Sequence, residues 1–173
     1  MPCPEMGAWG GVQKQRMLLA YGLRDTKLYT LRRPLFGLFI AATRLSYWRL
    51  ARSVADEIEQ YRDAGVTVLG VVGIGASPSC GVTTTLDLAR SFQTVAGCPF
   101  AAIDRTLVNQ HAVADCRVGG SGLFVRALRR QLSKRGIDDL RFLEHDLIAE
   151  MQGIEQRLDL GDASGARPGV PTL

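Results

Sequence analysis

Two cysteines of this chain lie in short segments whose neighbouring residues could assist chemistry. Cys3 stands in Pro-Cys-Pro-Glu at residues 2–5, and Cys80 stands in Ser-Pro-Ser-Cys-Gly at residues 77–81. The second segment directly follows residues 66–74, an almost continuously apolar, β-branched run that is typical of a buried parallel strand. Cys80 is therefore expected where a strand ends, and prolines restrict the backbone in both segments. We interpret the pair as two rigidly held thiols that converge on one site.

The turn at residues 73–81 allows three kinds of chemistry. Its glycines permit unusual backbone angles, so amides and hydroxyls can point into one concavity that suits an anion, a nucleophilic cysteine or a metal thiolate. The dinucleotide fingerprint G-x-G-x-x-G is not completed, because Pro78 stands at the third position after Gly75. A tight structural turn around a buried cysteine explains the segment equally well when the segment is considered alone.

The segment around Cys3 gains its value from combination with the segment around Cys80. Soft thiolates bind iron–sulfur clusters, and cysteines far apart in the chain can share one cluster from loops at strand ends. Glu5, two residues after Cys3, could exchange a proton with a substrate bound beside such a cluster. Two cysteines placed in this way could therefore share an iron–sulfur cluster.

These segments, in this order, resemble the 2-thiouracil desulfurase family and its uncharacterised relatives. The resemblance rests on Pro-Cys-Pro-Glu, an arginine-containing helix, a long helix and Val-Val-Gly-Ile-x-x-Ser-Pro-Ser-Cys-Gly, and it covers roughly residues 2–150. It implies a 4Fe-4S cluster held by three cysteines, with one iron open to the sulfur of a thiocarbonyl substrate.

The resemblance also assigns roles to individual residues of this chain. Cys3 and Cys80 match two of the family's cluster ligands. The family's carboxylate matches Glu5, which would then donate a proton or activate water. The family's serines match Ser77 and Ser79, which would orient the substrate or the cluster.

The chain departs from the family pattern at two places. The family's first cysteine lies on an N-terminal strand upstream of Cys-Pro-Glu, so the third cluster ligand is expected upstream of Met1. Cys98 and Cys116 are the other thiols of the chain, and chemistry allows either to replace that ligand, although a buried or incidental thiol is the better explanation for each. Before the serines, Gly-Ile-Gly-Ala at residues 73–76 replaces the lysine-containing approach of thiouracil desulfurases, which leaves the identity of the substrate open.

The periodicity of apolar residues predicts the elements that position these segments. Helices are predicted over 13–21, 47–64, 83–95, 122–135 and 146–158, and strands over 66–74 and 140–143, with a strand or turn over 99–103. The pattern is irregular from residue 26 to residue 46, where Arg33-Pro34 marks a break. Alternating strands and helices indicate an α/β fold, with an open, mostly parallel sheet and helices on both faces (Rossmann-like). Ligands of such sheets bind beyond the carboxyl ends of the strands.

Length and composition fit one folded domain. The chain has 173 residues, of which 46% are hydrophobic and 22% charged. We predict a single α/β domain over residues 1–160 and a disordered tail over residues 161–173, which hold few large apolar side chains. The most apolar segment, residues 35–42, is far shorter than the roughly 20 residues that cross a bilayer. The N terminus also lacks the pattern of a signal peptide, so we expect a cytoplasmic protein with reduced cysteines.

The net charge of +4 has a local origin. Six basic residues and no acidic one occur between residues 27 and 52. This run suits a solvated helix face, and attraction of an anionic ligand, RNA or a membrane surface is the alternative. No block of consecutive like charges suggests a nucleic-acid arm, and the most apolar segment is too short to cross a bilayer, so we expect neither a nucleic acid nor a membrane as partner. An unpaired sheet edge would allow a homo-oligomer.

Three functions fit the sequence. The leading one is an iron–sulfur-dependent desulfurase that removes sulfur from a small thiolated compound, such as a thiolated nucleobase, and converts C=S to C=O without net redox change. The second is a small-ligand-binding protein on the same fold that holds no cluster. The third is a nucleophilic Cys80 with His145 as its base, although a capping or surface role also explains His145.

Overall fold

A computed structural model describes residues 29–96, 114–146, 149–150 and 152–156. Within these ranges the chain combines helices with two strand pairs, one parallel and one antiparallel, so the predicted mixed α/β class is confirmed. None of the helices described is long and apolar enough to span a membrane. Several predictions fall outside the described residues: Cys3, Glu5, Cys98, the helix over 13–21, the strand or turn over 99–103 and the tail over 161–173.

The described ranges contain nine helices and strands. In chain order they are a 3-10 turn at Tyr29–Leu31, α1 at Arg32–Asp63, β1 at Val71–Ile74, β2 at Thr84–Leu86, α2 at Leu88–Ala96, the single turn α3 at Ala114–Cys116, β3 at Arg117–Gly119, α4 at Leu123–Ser133 and β4 at Phe142–His145.

Helix α1 confirms the helix predicted over 47–64 and extends it back to Arg32. The break predicted just before Pro34 is wrong, because this proline lies in the first turn of the helix, where an N–H has no intrahelical partner to lose. Gly65 follows the helix with a φ of +77°, a conformation that suits glycine, and it ends α1 as predicted.

The core of the described region lies between α1 and α4. The apolar faces of both helices meet there, and the rings of Tyr47 and Phe124 contact each other edge to face with centroids 6.2 Å apart. The buried members of this cluster are Tyr47, Ala51, Val54, Ala55, Ile58, Phe124, Leu128, Leu132, Ile137 and Leu140. This packing confirms the helix predicted over 122–135 and holds α4 in a fixed position.

Strands β1 and β4 pair in parallel, and their carboxyl ends therefore lie side by side. The register aligns Val71 with Phe142 and Gly73 with Glu144. Strand β4 begins two residues later than the strand predicted over 140–143. This shift matters for the site, because it places Glu144 inside the strand pair.

Strand β1 is shorter and more exposed than its sequence suggests. Residues 66–70 were predicted as strand, yet they precede β1 without strand geometry. Val72 and Ile74 are 49% and 39% exposed, whereas Gly73 between them is buried. The expectation of a strand covered on both faces is therefore wrong for β1 in the described structure.

The prediction of a helix over 83–95 is wrong in its first turn. Residues Thr84–Leu86 form β2, which pairs with β3 in antiparallel fashion. β-branched threonines favour a strand when a partner strand lies beside them. Asp87 then caps α2, since its Oδ1 accepts hydrogen bonds from the amides of Ala89 and Arg90, both at 3.0 Å.

The Asp87 cap leads to a measurable stability difference. Asp87→Ala is expected to lower the free energy of unfolding by about 1 kcal/mol, because two amides at the start of α2 lose their acceptor. Asp87→Asn keeps an acceptor, so its loss is expected to stay below about 0.5 kcal/mol. Urea unfolding followed by circular dichroism measures both values. Equal losses for the two variants would contradict the capping role.

The last predicted helix, over 146–158, is shorter in the structure. Asp146 begins a helical turn, and its Oδ1 accepts a hydrogen bond from the Ala149 amide at 3.3 Å. Gly153 has a φ of +79°, and residues 154–156 are not helical. Since glycine readily adopts this left-handed conformation, it ends the helical turns well before residue 158.

Candidate functional site

The loop at residues 75–83 connects β1 to β2 and carries Cys80. The loop folds back on the strand that precedes it, because the Ile74 amide donates to the Cys80 carbonyl at 3.2 Å. Two further backbone bonds tighten the turn: the Ser77 amide donates to the Ile74 carbonyl at 3.2 Å, and the Gly81 amide donates to the Ser77 carbonyl at 3.1 Å. Cys80 therefore lies just beyond the carboxyl end of β1, where the sequence predicts it.

The loop brings Ser77, Ser79 and Cys80 into mutual contact. The Oγ of Ser77 accepts a hydrogen bond from the Cys80 amide at 3.0 Å and lies 3.2 Å from the Oγ of Ser79. The Ser79 Oγ in turn lies 3.5 Å from the Cys80 Sγ. Ser79 is buried and Cys80 is half-buried, so one serine supports the backbone of the cysteine and the other contacts its sulfur.

The N terminus of α4 donates hydrogen bonds to the first half of the loop. The amide of Leu123 donates to the Pro78 carbonyl at 2.9 Å, and the amide of Phe124 donates to the Ser79 carbonyl at 3.1 Å. These bonds satisfy amides that a helix leaves without intrahelical partners at its first turn. A Cβ on Gly122 would overlap the Ser79 carbonyl, so only glycine allows this close approach.

Strand β1 packs equally closely against the second half of the loop. A Cβ on Gly73 would overlap the carbonyl oxygen of Cys80 and approach the side chain of Val82 within 2.7 Å. Ala76 adopts a φ of +55°, which is unusual for a residue with a side chain. The loop around Cys80 therefore packs closely against β1 and contains one left-handed residue, Ala76.

Glu144 anchors the end of the loop and was not among the residues singled out from the sequence. Its Oε2 accepts hydrogen bonds from the amides of Val82, Thr83 and Thr84 at 2.8, 2.7 and 2.9 Å. Its Oε1 accepts from the hydroxyls of Thr83 and Thr84 at 2.8 and 2.7 Å. One carboxylate on β4 thereby collects five donors from three consecutive residues.

The hydrogen bonds to Glu144 favour its charged form. Burial alone would raise the pKa of the carboxyl group, but the amides and hydroxyls of Thr84 and Thr83 outweigh burial and lower the pKa from 4.5 to about 2. The sequence offered a signal in the run Val-Thr-Thr-Thr after Cys-Gly and in the glutamate near a strand end. Connecting them required the register between β1 and β4.

An arginine extends this network to the second strand pair. Arg117 of β3 donates from Nη2 to the Oδ2 of Asp146 at 2.8 Å and to the Oγ1 of Thr84 at 3.3 Å. The same Thr84 hydroxyl oxygen accepts from the Ala76 amide at 3.0 Å. The two strand pairs are therefore joined at the loop by polar contacts.

The other candidate side chains in the described residues have different surroundings. Cys116 is fully buried at the junction of α3 and β3, which agrees with its interpretation as a packed side chain. The Nε2 of His145 lies 2.8 Å from the Oε2 of Glu150, so the histidine pairs with a neighbouring surface carboxylate. Within the described ranges, no three His, Cys, Asp or Glu side chains are grouped to hold a metal ion.

The described part of the site offers one half-buried thiol, two serine hydroxyls in contact with it or its amide, and a carboxylate that fixes the adjacent backbone. A thiol held in this way can serve as a metal ligand or as a nucleophile.

Comparisons of the chain with family models, curated proteins and solved structures find no match. The desulfurase resemblance therefore stays a prediction that rests on the residues themselves.

Proposed function

We propose that this protein is an iron–sulfur-dependent desulfurase that acts on a small thiolated compound, such as a thiolated nucleobase. One observation supports the proposal above the others: the loop after β1 holds Ser77, Ser79 and Cys80 together, with the Ser79 Oγ 3.5 Å from the Cys80 Sγ. These are the residues that the resemblance assigns to the site.

The proposal includes a finer description of the fold. The parallel pair of β1 and β4, with Cys80 beyond the carboxyl end of β1, is the arrangement expected at the ligand-binding edge of an open parallel sheet. We therefore propose an open, mostly parallel, Rossmann-like sheet with helices on both faces. A cytoplasmic location with reduced cysteines belongs to the same proposal.

Cys80 fits the role of a cluster ligand. Its side chain is half-buried rather than enclosed, and thiolate is the ligand that iron–sulfur clusters use. Cys116 is fully buried, which agrees with a packed side chain. Cys3 would supply the second ligand, and the resemblance implies a third cysteine. When bound, a 4Fe-4S cluster supplies an iron with an open position for the sulfur of a thiocarbonyl group.

The protein residues would then orient the substrate and move protons. The proposed reaction breaks a C=S bond and forms a C=O bond with oxygen from water, and the sulfur leaves as sulfide with the protons from that water. No electrons are gained or lost overall. Glu5 would donate the proton or activate the water, and Ser77 and Ser79 would hold the substrate or the ligand thiol in position.

Anaerobic reconstitution with iron and sulfide tests the proposal. The chain, and a version extended by its upstream coding sequence, are followed by absorption at about 400 nm, where thiolate-bound iron absorbs. Cys80→Ser is expected to lose this absorption and all desulfurase activity, whereas the matched control Cys116→Ser keeps both. If neither protein acquires the absorption, or if Cys80→Ser acquires it as well as the wild type does, the proposal is wrong. Ligand binding retained by Cys80→Ser without iron would instead support a cluster-less binding protein.

A further inference from the structure

The hydrogen bonds to Glu144 hold the backbone that follows Cys80 in the loop. Three consecutive amides, those of Val82, Thr83 and Thr84, all donate to one carboxylate oxygen. Consecutive amides that point the same way form a concave site for an anion. In this protein the anion is the side chain of Glu144, which comes from the neighbouring strand β4 rather than from the loop itself.

Cys80 lies between two anchors that belong to different elements. On its N-terminal side, the first turn of α4 donates to the carbonyls of Pro78 and Ser79. On its C-terminal side, Glu144 holds the three residues that begin at Val82. Only Gly81 separates Cys80 from the second anchor, and the packed core of α1 and α4 keeps the first anchor fixed.

The chemistry of the second anchor requires a carboxylate. Each oxygen of Glu144 accepts more than one hydrogen bond, and a charged acceptor binds donors more strongly than a neutral one. A glutamine has one carbonyl oxygen, and its NH₂ group would face donors instead of accepting from them. Because the two side chains have nearly the same size, this substitution removes the charge with little change in volume.

We propose that Glu144 is a positioning residue that sets the orientation of the Cys80 thiol by holding the loop from the carboxyl side. The inference rests on the proposed function only where Cys80 is taken as a cluster ligand. The geometric part concerns the thiol itself and can be measured on the protein without iron. Glu144 acts through the amides and hydroxyls of residues 82–84 and does not need to touch a substrate.

The rate of Cys80 alkylation by iodoacetamide tests the inference. The iron-free protein is treated for increasing times, and peptide mapping by mass spectrometry reports each cysteine separately. In Glu144→Gln we expect the Cys80 rate to rise about tenfold, because the loop opens more often when its second anchor is weakened. Cys116, which is fully buried, is expected to stay protected and serves as the internal control for unfolding.

Two further variants separate positioning from a general loss of structure. Glu57→Gln is the matched control, since Glu57 accepts one surface hydrogen bond from the Tyr61 hydroxyl at 3.1 Å. It should leave the Cys80 rate unchanged. Glu144→Asp keeps the charge but is shorter by one methylene group, so it should restore part of the protection. An unchanged Cys80 rate in Glu144→Gln, or an equal rise for Cys80 and Cys116, would overturn the inference.

The failure of this inference can be told apart from the failure of the proposed function. If Cys80→Ser still acquires a cluster, the desulfurase proposal is wrong, while the alkylation result for Glu144→Gln stands by itself. If Glu144→Gln leaves the thiol as protected as in the wild type, positioning is wrong, whatever the reconstitution shows. When both hold, reconstituted Glu144→Gln should show a shifted absorption spectrum, because one ligand approaches in a changed orientation.

Discussion

The Gly73→Ala protein is expected to lose about 3 kcal/mol or more of its free energy of unfolding. A Cβ at this position would overlap the carbonyl oxygen of Cys80, and the nearest side-chain atom, from Val82, lies only 2.7 Å away. The carbonyl belongs to the backbone and is bonded to the Ile74 amide, so a rotamer change cannot relieve the overlap. Either the strand or the Cys80 loop has to move.

The same substitution elsewhere in the chain provides the control. Gly37 lies inside α1, and nothing lies within 4 Å of the Cβ that alanine would add. Gly37→Ala is therefore expected to stabilise the protein by about 0.5–1 kcal/mol, since alanine is the better helix former. Urea unfolding of both variants tests whether Gly73→Ala lowers the free energy of unfolding and Gly37→Ala raises it. A Gly73→Ala protein with wild-type stability would show that the loop is not packed as described.

The elements that depend on local pattern could be predicted from the sequence. Helix α4 repeats apolar residues at helical spacing, and Gly136, whose φ is +70°, follows its end. The position of Cys80 beyond a strand was also accessible, because an apolar run ended directly before small and rigid residues. The start of α1 was missed because Pro34 reads as a break unless the first turn of the helix is already known.

The elements that depend on distant partners could not be predicted. Thr84–Leu86 become a strand because Arg117–Gly119 lie beside them, and the sequence around Thr83 contains no information about that partner. Glu144 is a similar case. Its sequence neighbourhood suggested a strand end near His145, but its bonds to residue 82 and the next two residues depend on the pairing of β1 with β4.

The sequence motif and the structure give different information about Ser77 and Ser79. Ser-Pro-Ser-Cys-Gly indicated that hydroxyls lie near the thiol, and the structure gives the two serines separate contacts. Ser77 binds the Cys80 amide, while Ser79 contacts the sulfur. A sequence contains no signal for this division, because both residues have the same side chain and flank the same proline.

Glu144→Gln is expected to lower the free energy of unfolding at neutral pH by about 2–3 kcal/mol, because several charge-assisted hydrogen bonds are replaced by weaker or unfavourable ones. The loss should depend on pH. The pKa of Glu144 in the folded protein lies near 2, below its ordinary value of 4.5. Between these values the unfolded chain binds the proton more readily than the folded one does, so the carboxylate stabilises the fold fully above about pH 4.5 and loses this effect as the pH falls toward 2.

Urea unfolding of wild type and Glu144→Gln between pH 7 and pH 2 measures this difference. The gap between the two proteins should be largest at neutral pH and should narrow as the pH falls through that window. Glu57→Gln removes a surface carboxylate, and its free energy of unfolding should change with pH in the same way as that of the wild type. A difference in the free energy of unfolding between wild type and Glu144→Gln that stays constant with pH would contradict the prediction, because it would show that the charge of Glu144 does not stabilise the loop.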